Sequence, residues 1–485
     1  MLGLSLGSIT SRWKHWCSLY VVCLAVLMVQ LDGTIVNVAL PSIRDELNFP
    51  DRLLSWVVNA YMIPCAGFLL LGGRFGDHFG YRCLFLIGSG LFTVSSLMCG
   101  STVSRDFLIA ARGLQGLSAA AVLAVSLPLI LQRYQDPTQR VIAIGMFTLA
   151  GTVGSSAGFF LGGILTGAVG WRWIFLLNVP VGVVCCILGR VLLPNHHRRT
   201  SQDSIDVAGA LAITGSLLLM AYAAVLIPEA SIASPGVTVP ATGALILFCA
   251  FVVFEIRSPK PLISRGLLED ANFLAATITG MLWISALYAW FYVAALFMQR
   301  VFEYSVITAG WAFLPVTITF AAFSCALSAT FVRRFGTKVP FMSGVVLFSM
   351  GMLQFAQLPS KGAYAVDVLP GMLLIGVGFG LAYNPLILIA VRYVKEESYG
   401  VATGILNSSS SMAGALVIAF CGSIASVRAS RLIAAGVPES IALNYGYHFA
   451  FVLCTALAVT AALIGALFLR ADNSARRKEG SVLSR

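Results

Sequence analysis

Charged residues are scarce in this chain of 485 amino acids: only 11% are Asp, Glu, Lys or Arg, and 58% are hydrophobic. Soluble domains carry about 25% charged residues, so this composition argues against a water-soluble fold. Apolar runs of about twenty residues recur along the sequence, and each is long enough to cross a hydrocarbon core of about 30 Å as a helix. The sequence therefore predicts an all-α polytopic membrane protein.

Signatures of catalysis and of bound metal are also missing. The eleven cysteines contain no CxxC pair and lie in or beside apolar runs, which favours small buried side chains over a disulfide framework. The five histidines show no metal-ligand spacing, and neither a Walker A sequence nor a Ser/His/Asp constellation stands out. We therefore predict no enzyme activity, no metal site, no cofactor and no ATP-driven step.

The apolar runs predict fourteen membrane spans. They lie near residues 17–40, 54–73, 83–101, 107–131, 141–167, 173–193, 207–227, 240–257, 273–298, 308–330, 340–358, 367–391, 401–427 and 447–470. The first run is too long for a signal peptide and lacks an A-x-A-like cleavage site, so we interpret it as a retained span. The predicted layout is an N-terminal six-helix bundle in 1-193, a linker with two extra helices in 194-270, a C-terminal six-helix bundle in 271-471 and a cytoplasmic tail in 472-485.

The net charge of +11 is explained by where the basic residues lie. With a cytoplasmic N-terminus, 22 of the 31 Lys and Arg residues fall in inner segments, 8 in outer loops and one, Arg112, in a span. Cytoplasmic loops of membrane proteins carry such an excess. We therefore predict that both termini are cytoplasmic and that the protein is a multi-pass protein of the plasma membrane, the inner membrane of a bacterium. Nucleic acid is not an expected partner.

An internal repeat supports this layout. The loop after span 2 reads Phe79-Gly80-Tyr81-Arg82, and the loop after span 10 reads Phe335-Gly336-Thr337-Lys338. Both are inner loops that follow spans of the same direction. Parallel repeats of six helices are one known transporter architecture, so the sequence predicts a six, two, six arrangement.

Asp32 is the only acid that we place well inside a span. A charged Asp at a helix centre costs about 2.5–3.5 kcal/mol on insertion scales, so such residues face a cavity or a partner. Two interpretations stay open: Asp32 couples transport to protons or cations, or it is a structural acid neutralised by an ion pair. Arg112 in span 4 lies at a depth that differs by less than a turn. We expect the two to be close, with Arg112 either a proton-relay partner or a structural tie to backbone carbonyls.

Span 1 carries polar groups on two faces. At 100° per residue, Gln30, Thr34 and Asn37 form a stripe roughly opposite Asp32. Span 1 is therefore predicted to be buried all round, with one face on a cavity and one against its own bundle. The pattern leaves open which face is which.

Ordered motifs occur at particular spans. They are Leu31-Asp32-Gly33-Thr34 through Asn37 to Pro41 in span 1; Gly73-Arg74-Phe75-Gly76-Asp77-His78 and Gly80-Tyr81-Arg82 after span 2; Arg112-Gly113-Leu114-Gln115-Gly116 in span 4; Gly154, Gly158, Gly162 and Gly163 in span 5; and Trp171-Arg172-Trp173 with Asn178 and Pro180 in span 6. With these motifs the chain, over nearly its whole length, resembles the fourteen-helix drug/proton antiporters of the major facilitator superfamily.

The resemblance implies two six-helix bundles around a central cavity, alternating access, and export of small lipophilic, often cationic compounds in exchange for protons. It implies a latch at the inner-loop motif, Gly73, Asp77, Gly80 and Arg82, which holds the outward-open state; solvated loop charges are the alternative. Gly154, Gly158, Gly162 and Gly163 are expected to pack helices closely, or to flex during access. Candidate cavity residues are Gln30, Thr34, Asn37, Gln115 and Asn407.

The sequence departs from the family pattern at three places. His78 stands where an Arg is usual, and Phe159 stands where a Pro follows the second glycine of the span 5 motif. Asn407 is followed by Ser408, Ser409, Ser410 and Ser411 where an Arg is often found. These changes concern gating and proton coupling and leave the fold untouched.

Aromatic residues offer a further choice. Eight aromatic residues could line a cavity for lipophilic cations through cation–π contacts, or they could serve as interfacial anchors and core. They are Trp56, Tyr61, Trp283, Tyr288, Trp290, Phe291, Tyr292 and Trp311.

The sequence as a whole predicts three functions, in descending order of expectation: a proton-coupled exporter of lipophilic compounds, an exporter of one metabolite such as an antibiotic or siderophore, and a non-transporting membrane sensor. Expected partners are a small-molecule substrate, protons and the lipid bilayer, with a periplasmic adaptor if the source is a double-membraned bacterium.

Overall fold

The computed structural model describes residues 6–134, 136–193, 207–226, 234–257, 267, 269–360, 362–394 and 399–469. The helices are α1 Leu6–Leu47, α2 Trp56–Phe79, α3 Tyr81–Ser101, α4 Arg105–Arg133, α5 Pro137–Val169, α6 Trp173–Leu176, α7 Asn178–Leu192, α8 Val207–Leu226, α9 Pro235–Arg257, α10 Ala271–Arg300, α11 Val306–Ala312, α12 Leu314–Ala322, α13 Ser328–Phe335, α14 Lys338–Phe355, α15 Leu369–Ala390, α16 Tyr399–Ala434 and α17 Glu439–Phe468. A 3-10 turn at Asp51–Leu53 precedes α2, and π-helical turns at Phe323–Leu327 and Tyr364–Val368 precede α13 and α15.

The described part of the chain is helical and contains no strand, which confirms the all-α class. Eleven of its helices are long and apolar enough to cross a membrane. Three shorter apolar helices lie at Trp56–Leu69, Leu211–Leu226 and Val306–Ala322. The count of fourteen spans and the domain boundaries stay predictions. The expected tail, 472-485, and the polar linker 194–206 lie outside the described residues.

The first helix extends beyond the predicted span. We expected the span to end near Pro41, whereas α1 continues through Pro41 to Leu47. Proline removes a backbone N–H and frees a carbonyl one turn earlier, and membrane helices tolerate this when neighbouring groups bond to the freed backbone. The carbonyl that Pro41 frees is Asn37 O, and the neighbouring Val38 O accepts from Gln299 Nε2 of α10 at 3.0 Å. A contact between distant segments therefore accompanies the continuation.

The two loops of the sequence repeat form turns of the same kind. Gly80 ends α2 with φ +93°, and Gly336 ends α13 with φ +74°. Residues with a side chain rarely adopt such angles, so glycine stops the helix and lets the next one start almost at once. The repeated Phe-Gly pair is therefore a helix-reversing turn in both places.

The helices pack in two groups joined along two seams. In the N-terminal half, α1–α7, helix α1 packs on α5 and α7, and α4 packs on α2 and α3. In the C-terminal half, α10–α17, helix α10 packs on α16 and α17, and α14 packs on α15. The halves meet where α2 faces α16 and where α5 faces α11 and α12, while α8 touches both α2 and α16.

Both seams are closed at one end, which we name the Asp51 end after the turn between α1 and α2. On α5, a Cβ added at Gly163 would lie 2.8 Å from Gly310 Cα of α11. Gly145 lies on the same face of α5 about 27 Å away, and a Cβ there would meet no described atom within 4 Å. On α2, Ala66 contacts α16. Gly73 lies two turns further along α2, and a Cβ there would also meet no described atom within 4 Å. The halves therefore separate towards the end opposite Asp51.

Candidate functional site

Asp32 and Arg112 form an ion pair in the interior of the N-terminal half. Arg112 Nη1 lies 2.6 Å from Asp32 Oδ2, and both side chains are 0% exposed. Asp32 comes from the middle of α1 and Arg112 from α4, so the pair joins two helices that are far apart in sequence. The depth estimate from the sequence had predicted this proximity.

Two amides complete the surroundings of the Asp32 carboxylate. Asn178 Nδ2 donates to Oδ1 at 2.7 Å, and Gln115 Nε2 donates to the same oxygen at 2.9 Å. Arg112 Nη1 donates to Oδ2, so the Asp32 carboxylate is the acceptor in all three of its described hydrogen bonds. Such an arrangement matches the ionised form, which only accepts hydrogen bonds.

Gln115 links both members of the ion pair. Its Oε1 accepts from Arg112 Nη1 at 2.7 Å, while its Nε2 donates to Asp32 and to Ser96 Oγ, the latter at 2.9 Å. We expected Gln115 among the cavity residues. The structure places it, 0% exposed, between Asp32 and Arg112. Gln115 therefore bonds directly to both charged side chains.

Helix α2 holds the other side of Arg112. Arg112 Nε donates to Val57 O at 3.0 Å, and its guanidinium lies 4.3 Å from the centre of the Tyr61 ring. Tyr61 in turn donates its hydroxyl to Val29 O of α1 at 3.0 Å. Gly116 permits this close packing, because a Cβ there would collide with Tyr61 O. Arg112 Nη2 has no hydrogen-bond partner among the described residues.

Burial makes this ion pair an unusual feature. Removing two charges from water costs about as much as their attraction returns, so a buried pair is weak support for stability. Ionisable groups inside membrane helices commonly mark ion and proton pathways. Both the relay role and the structural tie to a carbonyl remain compatible with the contacts, since Arg112 binds Asp32 and Val57 O together.

The opposite face of α1 packs on α5. A Cβ at Gly154 would lie 2.6 Å from Leu27 O, and one at Gly162 would lie 2.6 Å from Ile35 O. A Cβ at Gly158 would collide with Thr34 Oγ1. The glycines of the span 5 motif thus bring α5 against the Gln30/Thr34 stripe, and Gln30 Nε2 reaches Ser155 Oγ at 3.5 Å.

The predicted cavity residues therefore divide into two groups. Gln30, Thr34 and Asn407 are half-buried, while Asn37 and Gln115 are buried. Asn37 Nδ2 donates to Thr34 O within its own helix at 3.0 Å. Only the half-buried group can present side chains to a crevice in this state.

The departures from the motif pattern lie at different places. Phe159 is buried between the halves, stacked on Phe291 with ring centres 4.2 Å apart and 4.8 Å from the ring of Phe313. His78 is exposed and touches Phe79. In the serine run, Ser408 donates to Ala66 O across the α2–α16 seam.

The inner-loop motif lies at the open end of the seams. Arg82 Nη2 donates to Arg190 O, at the end of α7, at 2.5 Å. Gly73 has no described neighbour within 4 Å of a Cβ position, and Gly80 forms the turn described above. The side chain of Asp77 lies outside the described set. The latch predicted at the inner-loop motif, with Asp77 and Arg82, stays a prediction.

Four of the eight aromatic candidates lie in the core. Trp283, Trp290 and Tyr292 are buried in the C-terminal half, and Tyr61 is buried beside Arg112. Trp56, Tyr288 and Phe291 are half-buried, and Trp311 is exposed. Tyr288 and Phe291, both on α10, are therefore the better candidates for contacts with a compound in the crevice.

Sequence reasoning gave no role to Asn178, Ser96 or Tyr61 in the charge network. Asn178 belongs to the span 6 motif, and a polar side chain within an apolar run is a signal that could have singled it out. Its angular position relative to Asp32 depends on how α7 packs on α1, which no local pattern specifies. Among the described residues, no group of three His, Cys, Asp or Glu side chains could hold a metal ion.

Comparison with known families matches residues 22–418 to the Major Facilitator Superfamily. The chain is 29% identical over 478 residues to the puromycin resistance protein pur8 of Streptomyces alboniger, covering 96% of this chain and 94% of that protein. It is 31% identical over 448 residues to the cephamycin export protein CmcT of Amycolatopsis lactamdurans, covering 91% and 90%. Among solved structures, a D-xylose-proton symporter aligns with a TM-score of 0.65 at 16% identity over 94% of this chain and 98% of that one.

Proposed function

This chain belongs to the drug-efflux branch of the Major Facilitator Superfamily, and from that premise we propose that it is a proton-coupled antiporter exporting small lipophilic or cationic compounds by alternating access. The observation that carries the proposal is the buried network of Asp32, Arg112, Gln115 and Asn178. Transport proteins retain such costly groups where a charge changes during the cycle.

Protonation of Asp32 is the step that changes this network. A proton on either carboxylate oxygen removes the negative charge that attracts Arg112 and converts one acceptor into an O–H donor. We then expect the Gln115 amide to rotate, because its Oε1 can accept a hydrogen bond from the new O–H of Asp32. Arg112 loses a charged partner, and α4 is released from α1. Asp32 is 0% exposed here, so exchange of its proton with either compartment needs helix movement.

Half-buried polar and aromatic residues of both halves supply the substrate contacts in this proposal. Gln30 and Thr34 of α1, Tyr288 and Phe291 of α10 and Asn407 of α16 come from both halves. Aromatic faces suit lipophilic cations, and a few amides and hydroxyls suit orientation. Asp32 lies on the opposite face of α1, so it exchanges the proton without touching the compound.

We also propose the membrane arrangement on which the cycle depends. The protein crosses the bacterial plasma membrane fourteen times with both termini in the cytoplasm, because basic residues favour that side. The Asp51 end then faces outward, and the crevice opens to the cytoplasm, from which a compound is taken up. In a double-membraned cell, a periplasmic adaptor would complete the route.

A single natural product is the second candidate substrate. CmcT is an export protein for cephamycin and pur8 a resistance protein for puromycin, so relatives of this length serve particular antibiotics. Asp32 is the one acid among the buried described side chains, which fits a narrow substrate range better than a broad cationic one.

Inverted membrane vesicles test the proposal. The vesicles are energised, candidate compounds including puromycin and a cephamycin are added, and proton release from the lumen is followed with a pH-sensitive dye. The proposal expects release with the wild-type chain and none above background with Asp32→Asn. Asp106→Asn is the matched control, because Asp106 is an exposed acid of the same half and should leave release unchanged. An equal response from wild type and Asp32→Asn would exclude Asp32 as the coupling acid.

A further inference from the structure

The Asp51 end of the seams holds an ion pair between the two halves. Asp51 Oδ2 lies 3.0 Å from Arg300 Nη1 at the end of α10, and Asp51 Oδ1 lies 3.3 Å from Arg44 Nη1 at the end of α1. The Arg300 side chain is only 14% exposed. Asp51 thus binds one arginine from each half, and the ion pair with Arg300 resists separation of the halves.

The surroundings of this ion pair are polar but tightly packed. Arg300 also lies 3.8 Å from Glu439 Oε1 and 3.5 Å from the Tyr447 hydroxyl, both of the C-terminal half. Asp51, Arg300, Tyr292 and Tyr447 line a cavity of about 20 Å³, which has room for about one water molecule. Little space therefore remains beside Arg300, while the Asp51 side chain is 35% exposed.

An aromatic layer closes the α5 seam further in. Phe159 of α5 packs against Phe291 and Phe313 of the other half, as described above. The glycine pair Gly163 and Gly310 lies one turn nearer the Asp51 end and brings the two backbones together. Each of these contacts must be lost when the halves part at this end.

The α2 seam contains groups that favour the opposite outcome. Residues 59, 62 and 66 share one face of α2, and Ser55, the N-cap residue just before the helix, lies one turn before Asn59 on that face. Met62 lies against Gly414, and Ala66 O accepts from Ser408, so this face meets α16. Ser55 and Asn59 on the same face are 0% exposed. The Ser55 hydroxyl and both amide atoms of Asn59 have no hydrogen-bond partner among the described residues.

Unpaired buried polar groups destabilise the state that buries them. Water would bond to Asn59 and Ser55 if the halves parted, so these two residues favour an open seam. Under the proposed alternating access, this end is a gate that Asp51, Arg300 and the Phe159 layer hold closed. We infer that the unpaired Asn59 and Ser55 oppose this closure and keep it reversible. This rests on the proposed transport function, because a gate must open once in each cycle.

Cysteine labelling measures the gate without any substrate. Ala425 lines the cavity beside Asp51 and is 4% exposed, so Ala425→Cys becomes reactive only when the seam opens. An impermeant maleimide is added from the Asp51 side to purified protein in liposomes, and the chain without Ala425→Cys gives the background. Asn59→Leu should slow labelling about tenfold, since an apolar side chain of similar size removes the unpaired groups.

Loss of the ion pair should have the opposite effect. Asp51→Asn and Arg300→Gln should each speed labelling, and the double variant should be no faster than the faster single one, because both remove one interaction. Asn272→Leu is the matched control for Asn59→Leu. Asn272 is buried and bonded to Ile389 O at 2.8 Å, away from the α2 seam, so its loss lowers stability without changing the labelling rate.

The inference is overturned if Asn59→Leu leaves labelling unchanged or speeds it, or if the effects of Asp51→Asn and Arg300→Gln simply add. Labelling needs neither a transported compound nor a proton gradient. A failure of proton release in vesicles with normal labelling shifts would count against the transport proposal alone, and the reverse result would count against the gate alone.

Discussion

The interiors of the two halves differ in kind. In the N-terminal half, Asp32 and Arg112 are the buried charged side chains of the described chain, held by amides from α4 and α7. In the C-terminal half, the largest buried side chains are Trp283 and Trp290. Trp283 contacts the rings of Phe341, Phe348 and Phe379, and Trp290 contacts Phe355 with ring centres 5.1 Å apart.

This difference teaches that repeated architecture does not require repeated chemistry. The turns at Gly80 and Gly336 reverse the chain in the same way, so the two halves share a helix-reversing device. The interior of the N-terminal half nevertheless contains a buried polar network with two charged side chains, and that of the C-terminal half contains interlocked aromatic rings. We interpret the N-terminal half as the coupling half and the C-terminal half as the rigid surface against which it moves.

The largest effect on folding should come from removing only the arginine of the Asp32–Arg112 ion pair. Arg112→Met leaves Asp32 buried without its cation, and breaking such pairs costs about 3–5 kcal/mol. We expect a clear loss of thermal stability, measured by the unfolding temperature of the purified protein. Adding Asp32→Leu to Arg112→Met should recover stability without recovering transport. If the double variant is no more stable than Arg112→Met, the two residues are not a pair in the functional protein.

A smaller effect is expected from replacing Asn178, whose amide binds Asp32 and which the sequence did not single out. Asn178→Ala removes one of three donors to Asp32, and hydrogen bonds to charged groups contribute about 1.5–3 kcal/mol. Asn178→Ala should slow transport markedly. Asn178→Asp should slow it further, because it places a second acid where the amide now lies 2.7 Å from Asp32. Initial rates of proton release in vesicles make the comparison. Equal rates for Asn178→Ala and wild type would remove Asn178 from the coupling network.

The smallest effect is expected in the aromatic interior. Trp290 Nε1 has no hydrogen-bond partner among the described residues, so Trp290→Phe deletes no bond and keeps an apolar ring. The smaller ring leaves a cavity in the core, so we expect a loss of stability of about 1–2 kcal/mol. The ratio of protons released to compound moved should stay at the wild-type value, measured in the same vesicles. A change in that ratio would show that coupling extends into the C-terminal half.

Much of the fold could be predicted from composition and spacing. Apolar run length indicated membrane helices, and the repeated Phe-Gly loops indicated a six-helix repeat. The end of α1 could not be predicted from Pro41 alone, because a proline frees one backbone carbonyl without having to end a membrane helix. Local sequence records that Asn37 O is freed, but not which distant segment packs beside it, as Gln299 does at Val38 O.

The candidate site shows the same limit. Depth along two helices was enough to bring Asp32 and Arg112 together, since rise per residue is constant. Helical angles correctly separated Asp32 from the Gln30/Thr34 stripe but could not assign the neighbours of either face. Asn178, Ser96 and Tyr61 reach the network through the packing of α7, α3 and α2, and that packing depends on glycines such as Gly116 at distant contacts.

The proton released when a compound binds tests the central claim most directly. Purified protein in weakly buffered solution is mixed with a compound that it transports, and a pH-sensitive dye reports protons released per bound molecule. If binding and protonation of Asp32 oppose each other, then at a pH where Asp32 is partly protonated the wild-type chain releases up to about one proton per compound, and Asp32→Asn binds the compound and releases none. Equal release by the two proteins would contradict the assignment of Asp32 as the coupling acid.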